Sequence, residues 1–194
     1  KTCNSPEIAI KEIEKAIELT KCDRYGPCIV DIPIDIQGSR IDLSSFKHKK
    51  TIPTKKQLFS CESKSKDLQL TISKLNKSKK PILWLGNGLR GLDTKELRKI
   101  ILKLNIPYLT SWTANDLIDP INHLYAGHAG TYGSRVGNLM LQSADFVLAL
   151  GTRLAIPQKG YVDEELAREA SFFVVDIDKK ELDKLGERFK YKFQ

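Results

Sequence analysis

Residues 124–154 read LYAGHAGTYGSRVGNLMLQSADFVLALGTRL. A Gly-rich loop with Gly127, Gly130 and Gly133 leads into helical spacing from Ser134 to Gln142. Phe146 to Leu150 follows without a polar residue and closes on Gly151-Thr152-Arg153. A strand that is apolar throughout, with a helix just before it, belongs in a parallel sheet covered on both faces. Its carboxyl end carries a glycine, a hydroxyl and a guanidinium, and open α/β sheets bind ligands outside that end of their strands. A phosphorylated ligand is expected there.

Upstream, Pro81-Ile82-Leu83-Trp84-Leu85 reads as a strand running into Gly86-Asn87-Gly88-Leu89-Arg90-Gly91, a GxGxxG pattern with a strand before it and a helix after. Asp93 and Glu96 form a capping box for a helix Thr94 to Leu104, whose apolar face is Leu97, Ile100, Ile101 and Leu104. Tyr108 to Trp112 is the next strand, so the crossover is parallel. A nicotinamide-binding unit needs an acid at the end of that strand. This one ends Thr110-Ser111-Trp112, and the nearest acid, Asp116, lies in the loop beyond, which disfavours NAD. A plainer alternative, in which Gly86 and Gly88 merely make a tight turn, stays open beside a ligand-binding turn, and NAD is disfavoured on either.

Downstream, Arg153 to Tyr161 is a loop and Glu164 to Glu169 is helical. Ser171 to Asp178 is a strand ending in two acids. Asp178 with Glu181 repeats the capping-box spacing, and Gly186 stops the helix Lys179 to Leu185. Asp176 is thereby left without capping duty and is expected to face a ligand. The final ERFKYKFQ is too short to complete another unit.

At the amino end, Ser5-Pro6-Glu7 is a helix start, and Ala9, Ile13, Ala16, Ile17 and Thr20 recur at helical spacing. Gly26-Pro27 precedes a short buried strand, Cys28 to Ile32, ended by Pro33. This is a fragment of an α/β unit, since one strand makes no sheet. Residues 39–66 turn to Ser, Lys and Thr without a period and read as a linker. A helical pattern resumes near Asp67 through Leu68, Leu70, Ile72 and Leu75.

Composition narrows the classes. The 194 residues carry Lys+Arg 32 against Asp+Glu 24, a net charge of +8. The lysines are scattered, and the run Lys47, Lys49, Lys50 around His48 lacks interleaved aromatics, so a solvated surface is favoured over nucleic-acid binding. No apolar run approaches the roughly 20 residues that span a bilayer, and no membrane association or export is expected. Cys3, Cys22, Cys28 and Cys61 form no close pair, which points to reduced thiols in a cytoplasmic protein and away from a metal site. His128, between glycines near the cleft, is a loop hydrogen bond or ligand contact rather than a base, having no partner spaced for a dyad. Arg135 opposes the dipole at a helix start, for which a phosphate and a surface salt bridge are equal explanations.

Taken together, the loops after four strands describe a nucleotide cleft. Glycine-freed N–H groups approach a pyrophosphate, Arg153 holds it, and Asp176 accepts from a ribose or adenine.

Gly130-Thr131-Tyr132-Gly133, Asn138, Gln142, Ala144-Asp145 and Leu150 to Leu154 resemble the central domain of thiamine-diphosphate-dependent enzymes of the acetolactate synthase type. So do GPCIVDIPIDIQ at 26–37, KPILWLGNGL at 80–89 and FFVVDIDKKEL at 172–182. The resemblance implies an α/β, Rossmann-like parallel sheet with helices on both faces, preceded by a tail of another α/β domain. Residues 1–38 would be the end of a pyrimidine-binding domain, 39–66 a linker, and 67–194 a central nucleotide- or FAD-binding-like domain incomplete at its carboxyl end.

The candidate cofactor residues are then Gly86, Asn87, Gly88, Thr110, Ser111, Trp112, His128, Gly130, Gly151, Thr152, Arg153, Asp176 and Ile177. Asn87 stands where glycine is common, and His128-Ala129 where such enzymes usually read Met-His. No catalytic or metal-binding residue is assigned. The resemblance places thiamine diphosphate and Mg²⁺ in a full-length enzyme with their sites outside this chain, and FAD or ADP in this domain. The implied whole is a homo-oligomer, dimer or tetramer, acting on a 2-oxo acid such as pyruvate, with the acceptor either a second 2-oxo acid or a nucleotide-linked keto sugar. The chain by itself would be inactive. The alternatives are a freestanding nucleotide-binding or regulatory module and a Rossmann oxidoreductase.

Overall fold

The computed structural model describes residues 2–21, 26–42, 65–118 and 123–194. Most of the expected linker, with Lys47 to Lys50, Cys22 and Cys61, lies outside the described residues. The chain divides into two compact units, Lys1–Cys61 and Glu62–Gln194.

In the first unit, α1 (Pro6–Thr20) begins as its sequence dictates. Ser5 caps it by accepting from the Ile8 N–H, and Pro6 sits where its missing N–H costs nothing. Of the expected apolar face, Ala9 is buried, while Ile13 and Ile17 are exposed. The buried strand expected at Cys28 to Ile32 does not form. Cys28 is exposed, and Ile29 is 85% exposed. Among the described residues the segment's ladder partner is a single bridge from Asp31 to Thr2, with the Cys3 N–H donating to the Asp31 carbonyl at 2.9 Å. A short helix not read from the sequence, α2 (Ile34–Gln37), follows Pro33.

The second unit is a five-stranded parallel sheet. Its strands are β1 (Pro81–Leu85), β2 (Tyr108–Thr110), β3 (Phe146–Leu150), β4 (Ser171–Val175) and β5 (Tyr191–Phe193), in the spatial order β2-β1-β3-β4-β5. The helices are α3 (Ser65–Lys77), α4 (Thr94–Leu104), α5 (Arg135–Gln142), α6 (Ile156–Lys159) and α7 (Lys179–Asp183). Alternate strand residues feed two cores. Leu83, Leu85 and Tyr108 pack with Leu97 and Ile101 of α4 and with Leu75 of α3. Ile82, Trp84, Val147, Phe172 and Val174 pack with Leu141 of α5 and Leu182 of α7 on the other face. Burial on both faces is why these strands read as apolar runs instead of alternating.

Asp93 caps α4 as expected, accepting from the N–H groups of Lys95 and Glu96. Ile100 and Leu104, placed on its buried face by spacing alone, are exposed. The carboxyl-terminal ERFKYKFQ, expected to complete nothing, supplies the fifth strand, paired through Phe173↔Tyr191 and Val175↔Phe193.

Candidate functional site

After β1 the chain runs to β2 on one side, then crosses back to β3 on the other. The switch point therefore falls between the carboxyl ends of β1 and β3, where ligands of open sheets bind. Three glycines meet there. Gly86 N–H donates to the Leu150 carbonyl at 2.8 Å, and Gly88 N–H to the Gly151 carbonyl at 2.9 Å. A Cβ on residue 86 would stand 2.1 Å from the Gly151 oxygen, and one on residue 88 would stand 2.8 Å from the Gly151 Cα. This interlock explains Gly86 and Gly88 without a ligand, because the direction a side chain would take is filled by the chain itself.

Arg90 ties the β1 loop to the β2 loop. Its Nε donates to Asn87 Oδ1 at 2.7 Å, its two Nη groups reach both Asp116 oxygens at 2.9 and 2.6 Å, and one Nη also donates to the Thr113 carbonyl at 2.8 Å. The bidentate Arg90 bond brings the Asp116 carboxyl down to about 2. The side-chain oxygen of Asn87, a candidate ligand contact, is thus committed to Arg90.

At the end of β2, Thr110 is buried and its hydroxyl donates to Asn115 Oδ1 at 3.1 Å. The Ser111 N–H donates to the Leu85 carbonyl. His128 lies against this strand end, with Nδ1 3.0 Å from the Thr110 carbonyl and Nε2 3.4 Å from the Tyr125 hydroxyl. This is a loop hydrogen bond, one of the two roles its sequence context left open. Trp112 packs its ring against Tyr132, centroids 4.6 Å apart, both exposed.

The Gly-rich loop is wound tightly. Gly130 (φ 104°) packs on the backbone of Pro157 and Gln158, and Asn138 brackets it by accepting from its N–H at 2.8 Å and donating to its carbonyl at 3.1 Å. Ser134 caps α5 through the Gly137 N–H.

After β3, the buried Thr152 hydroxyl accepts from Gln158 Nε2 at 3.2 Å. Arg153 is ion-paired through Nε to Glu181 Oε2 at 3.0 Å, and Lys184 holds the other Glu181 oxygen at 2.9 Å. After β4, Asp176 is not free of local duty: its Oδ1 accepts from the Asp178 N–H at 2.9 Å, so one oxygen shapes the turn. Ile177 beside it is exposed.

The fold therefore brings the candidates to one edge, but sorts them. Gly86, Gly88, Asn87, Thr110, Thr152 and Gly130 are engaged in joining loops. Arg153, Trp112 and one oxygen of Asp176 remain presented. Arg90, Asn115, Tyr125, Gln158 and Glu181 were missed: Arg90, Tyr125 and Glu181 act across loops distant in sequence, while Asn115 and Gln158 act within their own loops. A surface cavity of about 470 Å³ is lined by Gln142, Glu165, Arg168 and Glu169, and another of about 130 Å³ by residues including Lys74, Asp145 and Ser171. Neither touches a candidate residue. Among the described residues no group of His, Cys, Asp and Glu is placed to hold a metal ion, and no helix is long and apolar enough to cross a membrane.

Known proteins carry the same sequence pattern. The chain is 30% identical over 190 residues to the probable acetolactate synthase large subunit of Methanococcus aeolicus, across 95% of this chain and 30% of the relative. It is 27% identical over 182 residues to the acetolactate synthase large subunit of Corynebacterium glutamicum, across 93% of this chain and 28% of that protein. For the acetolactate synthase isozyme 1 large subunit of Escherichia coli the identity is 28% over 173 residues, across 88% and 29%. The chain thus spans less than a third of the length of these relatives. Residues 68–188 match the family of the thiamine pyrophosphate enzyme, central domain, and with a parallel sheet clad in helices on both faces this shows that the chain belongs to that family and is homologous to acetolactate synthase large subunits.

Proposed function

We propose that the chain is the central domain of a thiamine-diphosphate-dependent carboligase or decarboxylase acting on a 2-oxo acid such as pyruvate, and that its sheet edge binds FAD or ADP. In this reading residues 1–38 end a pyrimidine-binding domain, 39–66 link it, and 67–194 form the nucleotide-binding-like domain. Thiamine diphosphate and Mg²⁺ are held by other parts of a cytoplasmic homo-oligomeric enzyme, and the chain alone does not turn over substrate.

One observation carries the nucleotide part: Arg153 follows the carboxyl end of β3, and its guanidinium, on a side chain 59% exposed, pairs with Glu181 of α7, the helix after the neighbouring β4. The residues present fit an anion there. Arg153 would hold a pyrophosphate through charge-assisted bonds, and the second oxygen of Asp176 would accept from a ribose or adenine. Gly86, Gly88 and Asn87 support the loops rather than the ligand. A bound flavin supplies a redox-active ring, whereas ADP supplies an anchor alone.

Calorimetric titration of the chain with FAD, ADP and NAD in parallel tests the reading. FAD or ADP should bind, and Arg153→Ala should weaken binding by about 1.5–3 kcal/mol, one to two decades. Tight binding of NAD alone, or an Arg153→Ala protein that binds as the parent does, overturns it. The enzyme part is tested in the flanking gene sequence, where a Gly-Asp-Gly motif downstream and a glutamate early upstream are expected.

A further inference from the structure

Glu181 is buried, its side chain 10% exposed, and each of its oxygens meets a cation: Arg153 Nε at 3.0 Å and Lys184 Nζ at 2.9 Å. A carboxylate taken out of water is costly unless paired, and two cations meet that need. The geometry on the arginine side is informative. Arg153 gives Glu181 its Nε, so the terminal Nη groups, on a side chain 59% exposed, are left at the sheet edge. Its backbone is fixed as well. The flanking Thr152 and Leu154 are buried, and Gly151 (φ 57°) and Leu154 (φ 50°) set the turn on either side.

Held at both Cα and Nε, the guanidinium has given up most of its rotamer freedom before any ligand arrives. That ordering entropy would otherwise oppose binding. We propose that Glu181 is a positioning residue that aims the Nη groups of Arg153 at the phosphates of a nucleoside diphosphate. The proposal rests on the nucleotide reading above.

Two simpler roles predict different behaviour. If Glu181 were merely a negative neighbour, neutralising it would tighten an anion. If it were merely a staple between the β3 exit and α7, shortening it would lower stability and leave the affinity for an anion unchanged.

Two variants of the intact chain separate these roles. Glu181→Gln loses the charge but keeps an oxygen that can accept from Nε, and Glu181→Asp keeps the charge but is one methylene too short to reach it. In calorimetric titration with ADP, Glu181→Gln should stay within about threefold of the parent, while Glu181→Asp weakens binding about tenfold. In an Arg153→Ala background, Glu181→Asp should have no further effect on affinity.

Tighter binding by Glu181→Gln with no change in Glu181→Asp overturns positioning in favour of repulsion. A Glu181→Asp protein that is less stable in urea unfolding yet binds ADP as the parent does overturns it in favour of a staple. Weakening by Arg153→Ala with both Glu181 variants unaffected overturns positioning alone, whereas an Arg153→Ala protein that binds ADP as the parent does overturns the nucleotide reading along with it.

Discussion

The carbonyl oxygen of Gly151 occupies the place a side chain on residue 86 would need, 2.1 Å from an ideal Cβ there. The β1 and β3 exits are thereby locked at the distance their two N–H···O bonds require. Gly86→Ala has to drive a backbone away from a backbone, and no rotamer relieves that. The expected loss is about 3 kcal/mol in urea unfolding. Gly91 is the internal control, since a Cβ there meets nothing within 4 Å. Gly91→Ala should shift stability by less than about 1 kcal/mol. Equal effects at the two sites would mean the interlock carries no strain.

The sequence showed the sheet more readily than the site, for a physical reason. Burial on both faces imprints a strand on its own residues, so Ile82 to Leu85 and Val147 to Leu150 are legible locally, and Asp93 marks the start of α4 within one turn. The bonds that build the site join residues far apart in the chain, such as Arg90 to Asp116 and Arg153 to Glu181. Glu181 misled because its spacing from Asp178 suits a capping box, while the fold pairs it with two cations. Cys28 to Ile32 misled in the opposite direction, an apolar run that among the described residues forms one bridge, Asp31 to Thr2. Tyr191 to Phe193 was overlooked because a three-residue strand with Lys192 at its centre carries too short a pattern.

Asp145 fastens the start of β3 to the segment entering β1. It accepts from the Ser78 hydroxyl at 2.6 Å and from the N–H groups of Lys79 and Lys80 at 2.7 and 2.9 Å. Partial burial pushes its carboxyl up, and these three hydrogen bonds outweigh that to leave it below the usual carboxylate value. Asp145→Ala strands two backbone donors, for an expected loss of about 2 kcal/mol. Because the folded value is depressed, this contribution is complete above the unfolded value near 4 and is lost as pH falls through the lower folded value. Parent and variant should therefore converge in stability in strong acid. A gap between them that stays constant from neutral pH down would refute the assignment.

The Arg90–Asp116 bond has its own acid signature. With its carboxyl at about 2, against 3.8 for an ordinary aspartate, Asp116 should stay ionised until strongly acidic pH. The sign follows from the depression: the link between the β1 and β2 loops persists above the ordinary value and opens as pH falls through about 2. Carboxyl carbon NMR of the parent should give that midpoint, and Arg90→Gln should return it upward. Because both side chains are largely exposed, salt should weaken the coupling. A midpoint unmoved by Arg90→Gln would show that the pair does not hold in solution.

His128 allows a prediction about a single proton. Its Nδ1 lies 3.0 Å from the carbonyl oxygen of Thr110, and a carbonyl can only accept, so the hydrogen of the neutral ring belongs on Nδ1. Nε2 is then the acceptor, facing the Tyr125 hydroxyl at 3.4 Å, and that hydroxyl also lies 3.2 Å from the Thr110 hydroxyl. Long-range nitrogen–proton correlation at pH 8 should show the Nδ1–H tautomer. Tyr125→Phe removes the partner of Nε2 without touching the Nδ1 bond, so the tautomer should persist while stability falls by about 1 kcal/mol. An Nε2–H tautomer in the parent would mean the ring is turned over. The loop from Tyr125 to Gly130 would then be held to the end of β2 by something other than this imidazole.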